Sequence, residues 1–170
     1  MIEIKPITGT INATITVPGS KSYTNRALIT AALANGESTI TNALFSDDTK
    51  YMASGLNILG IPIEEQQDAN RFVVHGKGGI IPVNQANLFI GNAGTAMRFL
   101  TAMLTLGNGV YEIDGVIRMR QRPIQDLLDG LRQLGAGVVS KNNDGCPPVV
   151  IQGKGLNGGL AVVKGDLSSQ

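Results

Sequence analysis

The sequence predicts an α/β protein in which a β-α-β-α-β-β unit is written twice. Three observations carry that expectation. The same landmarks recur in order at a spacing of roughly 75 residues. Ala/Leu/Met-rich stretches with helical spacing alternate with short strand-like runs. Glycine is abundant, at 22 residues, and sits mostly at the joins, as many short elements linked by tight turns require. The landmarks of the first unit run from Ser20 to about Gly79 and those of the second from Asn92 to about Gly155, which places the units at about 20–90 and 91–165.

Taken in order, Ile2 to Val17 alternates loosely (Ile2, Ile4, Ile7, then Ile11, Ala13, Ile15, Val17) around Thr8-Gly9-Thr10. It reads as an N-terminal hairpin over 1–19, ended by Pro18-Gly19. Ala27, Leu28, Ala31 and Ala32 fall at helical spacing, which predicts a helix over 23–34. Ser20 or Ser22 is its N-cap and Asn35-Gly36 its stop. A short strand leads to Ser46-Asp47-Asp48, which opens a second helix ending at Leu59-Gly60. Ile61 to Ile63 and Arg71 to His75 read as paired strands, followed by Gly76-Lys77-Gly78.

The second unit repeats the pattern. Leu88 to Ile90 is a strand, Thr95 to Leu106 a helix closing on Asn108-Gly109, and Val110 to Ile113 a strand. Arg122-Pro123, with Pro at the first helical position, opens a helix over 124–134 that ends in Leu134-Gly135. Val138-Val139 and Val149 to Ile151 pair before Gly153-Lys154-Gly155. One such unit cannot bury both its sheet and its helices, so the copies should pack helix layer against helix layer. Asp166-Leu167-Ser168-Ser169-Gln170 reads as the start of a third unit, so the expectation is a piece of a larger protein.

Composition narrows the function classes. A net charge of +1 and few aromatics argue against a dedicated nucleic-acid surface. Cys146 and His75 are the only residues of their types, which leaves no disulfide and no Cys- or His-based metal set within the chain. No run reaches transmembrane length and Met1 to Lys5 lacks a signal-peptide pattern, so a cytoplasmic soluble protein with no membrane partner is expected.

Chemistry concentrates at helix starts. In Gly19-Ser20-Lys21-Ser22, glycine permits close backbone approach, hydroxyls and free N–H groups face outward, and Lys21 adds a compact charge, with Arg26 about one turn on. Gly91-Asn92-Ala93-Gly94-Thr95 repeats the device without the lysine. Unpaired N–H groups and the macrodipole draw anions to such ends, and Arg118, Arg120 and Arg122 suit phosphate or carboxylate capture. Each feature also has a plain structural reading: Ser20 and Ser22 as caps, Asp47-Asp48 as dipole partners of the second helix, and Arg118 and Arg120 as solvated side chains. Their recurrence at equivalent points of a repeat favours a small polyanionic ligand. Gly153-Lys154-Gly155-Leu156-Asn157-Gly158 fits a dinucleotide motif but is followed by strand-like sequence, and Gly19 to Ser22 lacks the upstream glycine of a P-loop.

Six motifs in order resemble the 5-enolpyruvylshikimate-3-phosphate synthase family. They are Pro18 to Ser22 with Asn25-Arg26; Ser46-Asp47-Asp48; Leu88 to Arg98; Arg120 to Ile124; Cys146-Pro147-Pro148; and Gly165 to Gln170. The resemblance implies the enolpyruvyl transferase fold, an inside-out α/β barrel or α-β prism of repeated units, here truncated. It implies transfer of the enolpyruvyl group of phosphoenolpyruvate to the 5-hydroxyl of shikimate 3-phosphate, with release of phosphate and no metal or organic cofactor.

By resemblance Lys21 contacts both substrates and stabilises developing charge. Ser22, Arg26, Ser168 and Ser169 hold shikimate 3-phosphate, Gly94 and Arg122 line the phosphoenolpyruvate site, where the family also binds glyphosate, and Gln170 touches both ligands. Phe99 stands where many members have Pro. The family's third unit and second domain are not matched by this chain, and the proton-transferring Asp and Glu lie there. The 1–19 hairpin packs with that second domain in the family. The implied partners are therefore the two substrates and a complementary C-terminal polypeptide. Alternatives are a non-catalytic fragment that binds phosphorylated ligands and another enolpyruvyl transferase, such as the UDP-N-acetylglucosamine enzyme.

Overall fold

The computed structural model describes residues 6–163. The second unit has the predicted connectivity: β4 (Gln85–Phe89), α3 (Gly94–Leu104), β5 (Asn108–Asp114), α4 (Gln125–Gln133), β6 (Gly137–Ser140) and β7 (Val149–Lys154). Its sheet runs β4-β5-β7-β6, with β4 parallel to β5 and the other pairs antiparallel. The first unit comprises α1 (Lys21–Leu33), β1 (Asn35–Ile40), α2 (Asp47–Ile58), β2 (Ile63–Gln66) and β3 (Arg71–Lys77). Its sheet order β1-β3-β2 reproduces β5-β7-β6.

The predicted N-terminal hairpin over 1–19 lies in part, at 1–5, outside the described residues. Residues 6–19 contain no strand, and Ile7, Ile11, Ile15 and Val17 lie exposed. A two-stranded hairpin is marginal unless one face is covered, and nothing among the described residues covers this one. Among the described residues the first unit has no counterpart of the parallel strand that β4 supplies to the second. Pro123 is a correction. The helix starts at Gln125 with Ile124 as N-cap, because a 3-10 turn over Met119–Gln121 ends at Arg122 in extended conformation.

The repeated landmarks have a physical cause. Asn35 pairs with Lys77 and Gly36 with Gly76 across β1 and β3; Asn108 pairs with Lys154 and Gly109 with Gly153 across β5 and β7. A Cβ at Gly76 would overlap the carbonyl oxygens of Ala31 and Ala34 at the end of α1. One at Gly153 would lie 2.6 Å from Leu104 O at the end of α3. The strand glycines therefore let each sheet press against a helix C-terminus. The chain then donates a matching bond to that terminus in each copy, Gly78 N to Ala34 O at 2.8 Å and Gly155 N to Thr105 O at 2.9 Å. Asn35-Gly36, expected to stop α1, lies one residue beyond its C-cap. Helix α1 ends at Ala34 in extended conformation, and Asn35 already belongs to β1.

Helices α1, α2 and α3 pack on one another, with the sheets outside them. A single hydrophobic cluster runs through both units and includes Leu28, Met52, Leu56, Met97, Leu100 and Leu104. Burial of each such side chain contributes about 1.5–3 kcal/mol. Gly55 brings α2 close to Leu100 on α3, where a Cβ would meet Leu100 Cδ1 at 3.1 Å. This packing brings the N-termini of three helices to one end of the helix layer. No helix among the described residues is long and apolar enough to cross a membrane.

Candidate active site

Lys21 and Ser22 open α1, with Ser20 as N-cap accepting from Tyr23 N at 3.5 Å. Of the two caps the sequence allows, Ser20 takes the role and leaves Ser22 inside the first turn. Helix α2 is closed by a capping box between Ser46 and Thr49, and Asp47 and Asp48 occupy its first turn. Helix α3 differs: its N-cap Ala93 makes no side-chain bond. The first-turn N–H groups of α3 therefore lack the usual internal acceptor, the state an anion site needs.

These starts surround one open hollow of about 590 Å³, lined by Lys21, Ser22, Asp47, Asp48, Tyr51, Gly91 to Thr95, Val116 and Arg122. Four predicted site residues from both units, Lys21, Ser22, Gly94 and Arg122, thus share a single cavity. Lys21 Nζ lies 3.3 Å from Asp48. Arg122 donates to Asn92 O at 3.1 Å and lies across Gly94, where a Cβ would overlap its Nη2 and sit 2.7 Å from Cζ. Glycine at 94 is what allows this arginine to reach the start of α3.

Arg98 braces the same corner. It donates to Gly94 O at 3.3 Å and Pro123 O at 3.0 Å, tying the start of α3 to the residue after Arg122. Burial, then the like charge of Arg122, holds Arg98 below the ordinary guanidinium value.

Other candidates lie elsewhere. Arg26 does not line the hollow; it stacks over the Phe99 ring at 5.5 Å and donates to Ser22 O at 3.1 Å. Arg120 pairs with Asp114, and Arg118 donates to Gln121 at 3.2 Å. His75 bonds Glu64 at 3.0 Å on the neighbouring strand. Ser168, Ser169 and Gln170 lie outside the described residues.

Sequence reasoning read Asp48 only as a helix partner and missed Tyr51. The available signal was that Asp47, Asp48 and Tyr51 fall within one turn of each other on α2. Among the described residues no group of three or more His, Cys, Asp or Glu side chains could hold a metal ion.

Taken together these features define an α/β protein of repeated units whose helix N-termini surround one polar hollow, lined by Lys21 and Arg122 together with Asp47 and Asp48. A sequence profile described as EPSP synthase (3-phosphoshikimate 1-carboxyvinyltransferase) matches residues 5–170, and the chain belongs to that family. It is 51% identical over 170 residues to a 3-phosphoshikimate 1-carboxyvinyltransferase from Shewanella denitrificans, and 48% identical over 169 residues to one from Nostoc sp.. Each match covers 99% of this chain but 40% of the relative, so the chain spans well under half their length.

Among solved structures it is similar to an EPSP synthase from Acinetobacter baumannii, with a TM-score of 0.77 and 30% identity. That match covers 82% of this chain and 32% of the other. The enolpyruvyl transferase NikO from Streptomyces tendae, at 19% identity and a TM-score of 0.55, shares the fold; it covers 82% of this chain and 29% of the other.

Proposed function

We propose that the chain supplies the phosphate-gripping part of an enzyme that moves the enolpyruvyl group of phosphoenolpyruvate onto the 5-hydroxyl of shikimate 3-phosphate, releasing phosphate. The observation that carries this reading is the convergence of Lys21, Ser22, Gly94 and Arg122 on one hollow in a chain of this family.

Lys21 exchanges Asp48 for the phosphate of phosphoenolpyruvate, and Arg122 together with the open N–H groups of α3 holds the same ligand. Ser22 holds shikimate 3-phosphate. Arg26 joins it once its guanidinium leaves Phe99, and Ser168, Ser169 and Gln170 complete that grip. The contribution of these groups is placement and charge stabilisation, since fixed donors require no reorganisation as charge develops. Proton transfer falls to residues of the polypeptide that completes the relatives' length, and the substrates bind between the two parts.

The test is reconstitution. The chain is mixed with a polypeptide covering the remaining length of the relatives, and phosphate release is measured with both substrates. Turnover that depends on both polypeptides is expected. Correctly folded partners that associate without turnover would leave the second reading, a fragment that binds phosphorylated ligands and does no chemistry.

A further inference from the structure

The hollow is divided between the units: Lys21, Ser22 and Asp48 come from the first, Gly94 and Arg122 from the second. Its geometry therefore depends on what registers one unit against the other at this end of the helix layer. The α2–α3 contact deeper in the layer, Gly55 against Leu100, is aliphatic and has no directional bond. Tyr51 is different.

Tyr51 projects from α2 about one turn beyond Asp47 and reaches Gly91 of the second unit. A Cβ on Gly91 would overlap the ring at Cε2 and sit 2.7 Å from Oη, so only glycine admits the ring there; Gly91 also has φ +55. Phe89 of β4 meets the same ring edge-on, with centroids 6.2 Å apart and an interplanar angle of 72°.

Gly91 is a junction within its own unit. It begins the turn that leads through Asn92 and Ala93 to Gly94, and its carbonyl accepts Val116 N at 3.0 Å. Val116 O in turn accepts Met119 N at 2.8 Å, opening the 3-10 turn, and Arg122 N closes that turn on Met119 O at 3.0 Å. Both anion-facing features of the second unit, the start of α3 and Arg122, are thus tethered to the glycine on which Tyr51 rests.

We infer that Tyr51 is a positioning residue: its ring is the wedge by which α2 of the first unit sets the Gly91–Gly94 turn and the Val116–Arg122 loop of the second, and so fixes the span of the hollow. The inference rests on the proposed anion-binding function for its ligand, not for its geometry. Moving one half of a two-part anion site by about 1 Å is enough to weaken it substantially.

The experiment compares Tyr51→Phe, Tyr51→Ala, Gly91→Ala and the Tyr51→Ala/Gly91→Ala pair with the unaltered chain. Phosphoenolpyruvate affinity is read by calorimetry and stability by thermal unfolding. Leu128→Ala, a core truncation on α4, is the control for stability alone. The phenylalanine variant keeps the ring and should bind within about twofold of the parent. Tyr51→Ala and Gly91→Ala should each weaken binding at least about fivefold. The pair should lose less than the product of the two, because the new methyl enters the space the ring vacates.

Binding by Tyr51→Ala within about twofold of the parent would overturn the inference. So would an equal loss of affinity in Leu128→Ala, since that would be a stability effect. If the parent alone gives no heat with phosphoenolpyruvate, the functional proposal is decided by the reconstitution, where turnover that depends on both polypeptides is expected. The wedge is then judged from the unliganded amide NMR shifts of Gly94, Thr95 and Val116, which Tyr51→Ala should move and Tyr51→Phe should not; unmoved shifts would overturn it. Should Gly91→Ala fail to fold, the Tyr51→Phe and Tyr51→Ala pair alone decides.

Discussion

Gly94→Ala separates binding from stability with a single methyl group. The added Cβ would overlap Arg122 Nη2 and lie 2.7 Å from both Cζ and Nη1. An ordinary contact needs about 3.5 Å or more, so the guanidinium must retreat by about 1 Å. Moving a unit positive charge from about 3 to 4 Å from a phosphate oxygen, at an effective dielectric of about 20, costs about 1.4 kcal/mol per unit of anionic charge. That is about tenfold in the dissociation constant of phosphoenolpyruvate. Stability should move little or upward, because Gly94 is the first residue of α3 and alanine restricts the unfolded chain by about 0.4–1 kcal/mol. The assay is calorimetric titration with phosphoenolpyruvate beside thermal unfolding of the same samples. Undiminished affinity in a folded Gly94→Ala variant would show that Arg122 does not reach the anion past position 94, and the reasoning would fail.

Three other outcomes follow from the same structure. Lys21→Met should abolish phosphate release in the reconstituted enzyme while changing unfolding by less than about 1 kcal/mol, because its pair with Asp48 is half exposed; near-parental turnover would remove Lys21 from its role. Gly76→Ala and Gly153→Ala should each destabilise the chain by about 1–3 kcal/mol or more, since the clash is with helix-end backbone that cannot swing aside. Urea unfolding in which only one of them is harmful would break the equivalence of the two units. Asp114 is held below the usual carboxylate range, first by its hydrogen bond from Arg120, so its pairing stabilises the fold above the ordinary carboxylate value of about 3.9 and is lost as pH falls below that. Asp114→Asn should therefore flatten the acid limb of stability below about pH 4, and an unchanged limb in pH-dependent unfolding would contradict that sign.

Most of the fold was legible because the repeat supplied every signal twice. Asn-Gly opposite Gly-Lys marks the place where each sheet meets a helix end, and steric necessity at Gly76 and Gly153 keeps those residues recognisable. No strand forms over 6–19 although Ile11, Ala13, Ile15 and Val17 alternate, because alternation reports a strand-compatible surface, not the presence of a sheet to receive it. The start of α4 was misplaced because Arg122-Pro123 fits a helix opening locally, whereas the preceding 3-10 turn leaves Arg122 extended.

At the site, Lys21, Ser22, Gly94 and Arg122 were readable from helix-start chemistry. That Arg26 stands outside the hollow was not, since its stack on Phe99 depends on how α1 packs against α3. Tyr51 stands within a turn of Asp47 and Asp48, but its contact with Gly91, some forty residues away in sequence, is brought about only by packing.

The central claim is that helix starts from two units act on one phosphorylated ligand. Amide NMR titration with phosphoenolpyruvate tests it directly by following Lys21 and Ser22 alongside Gly94, Thr95 and the Arg122 side chain. All five should move together and fit one dissociation constant. Responses confined to one unit, or two units saturating at different concentrations, would contradict it.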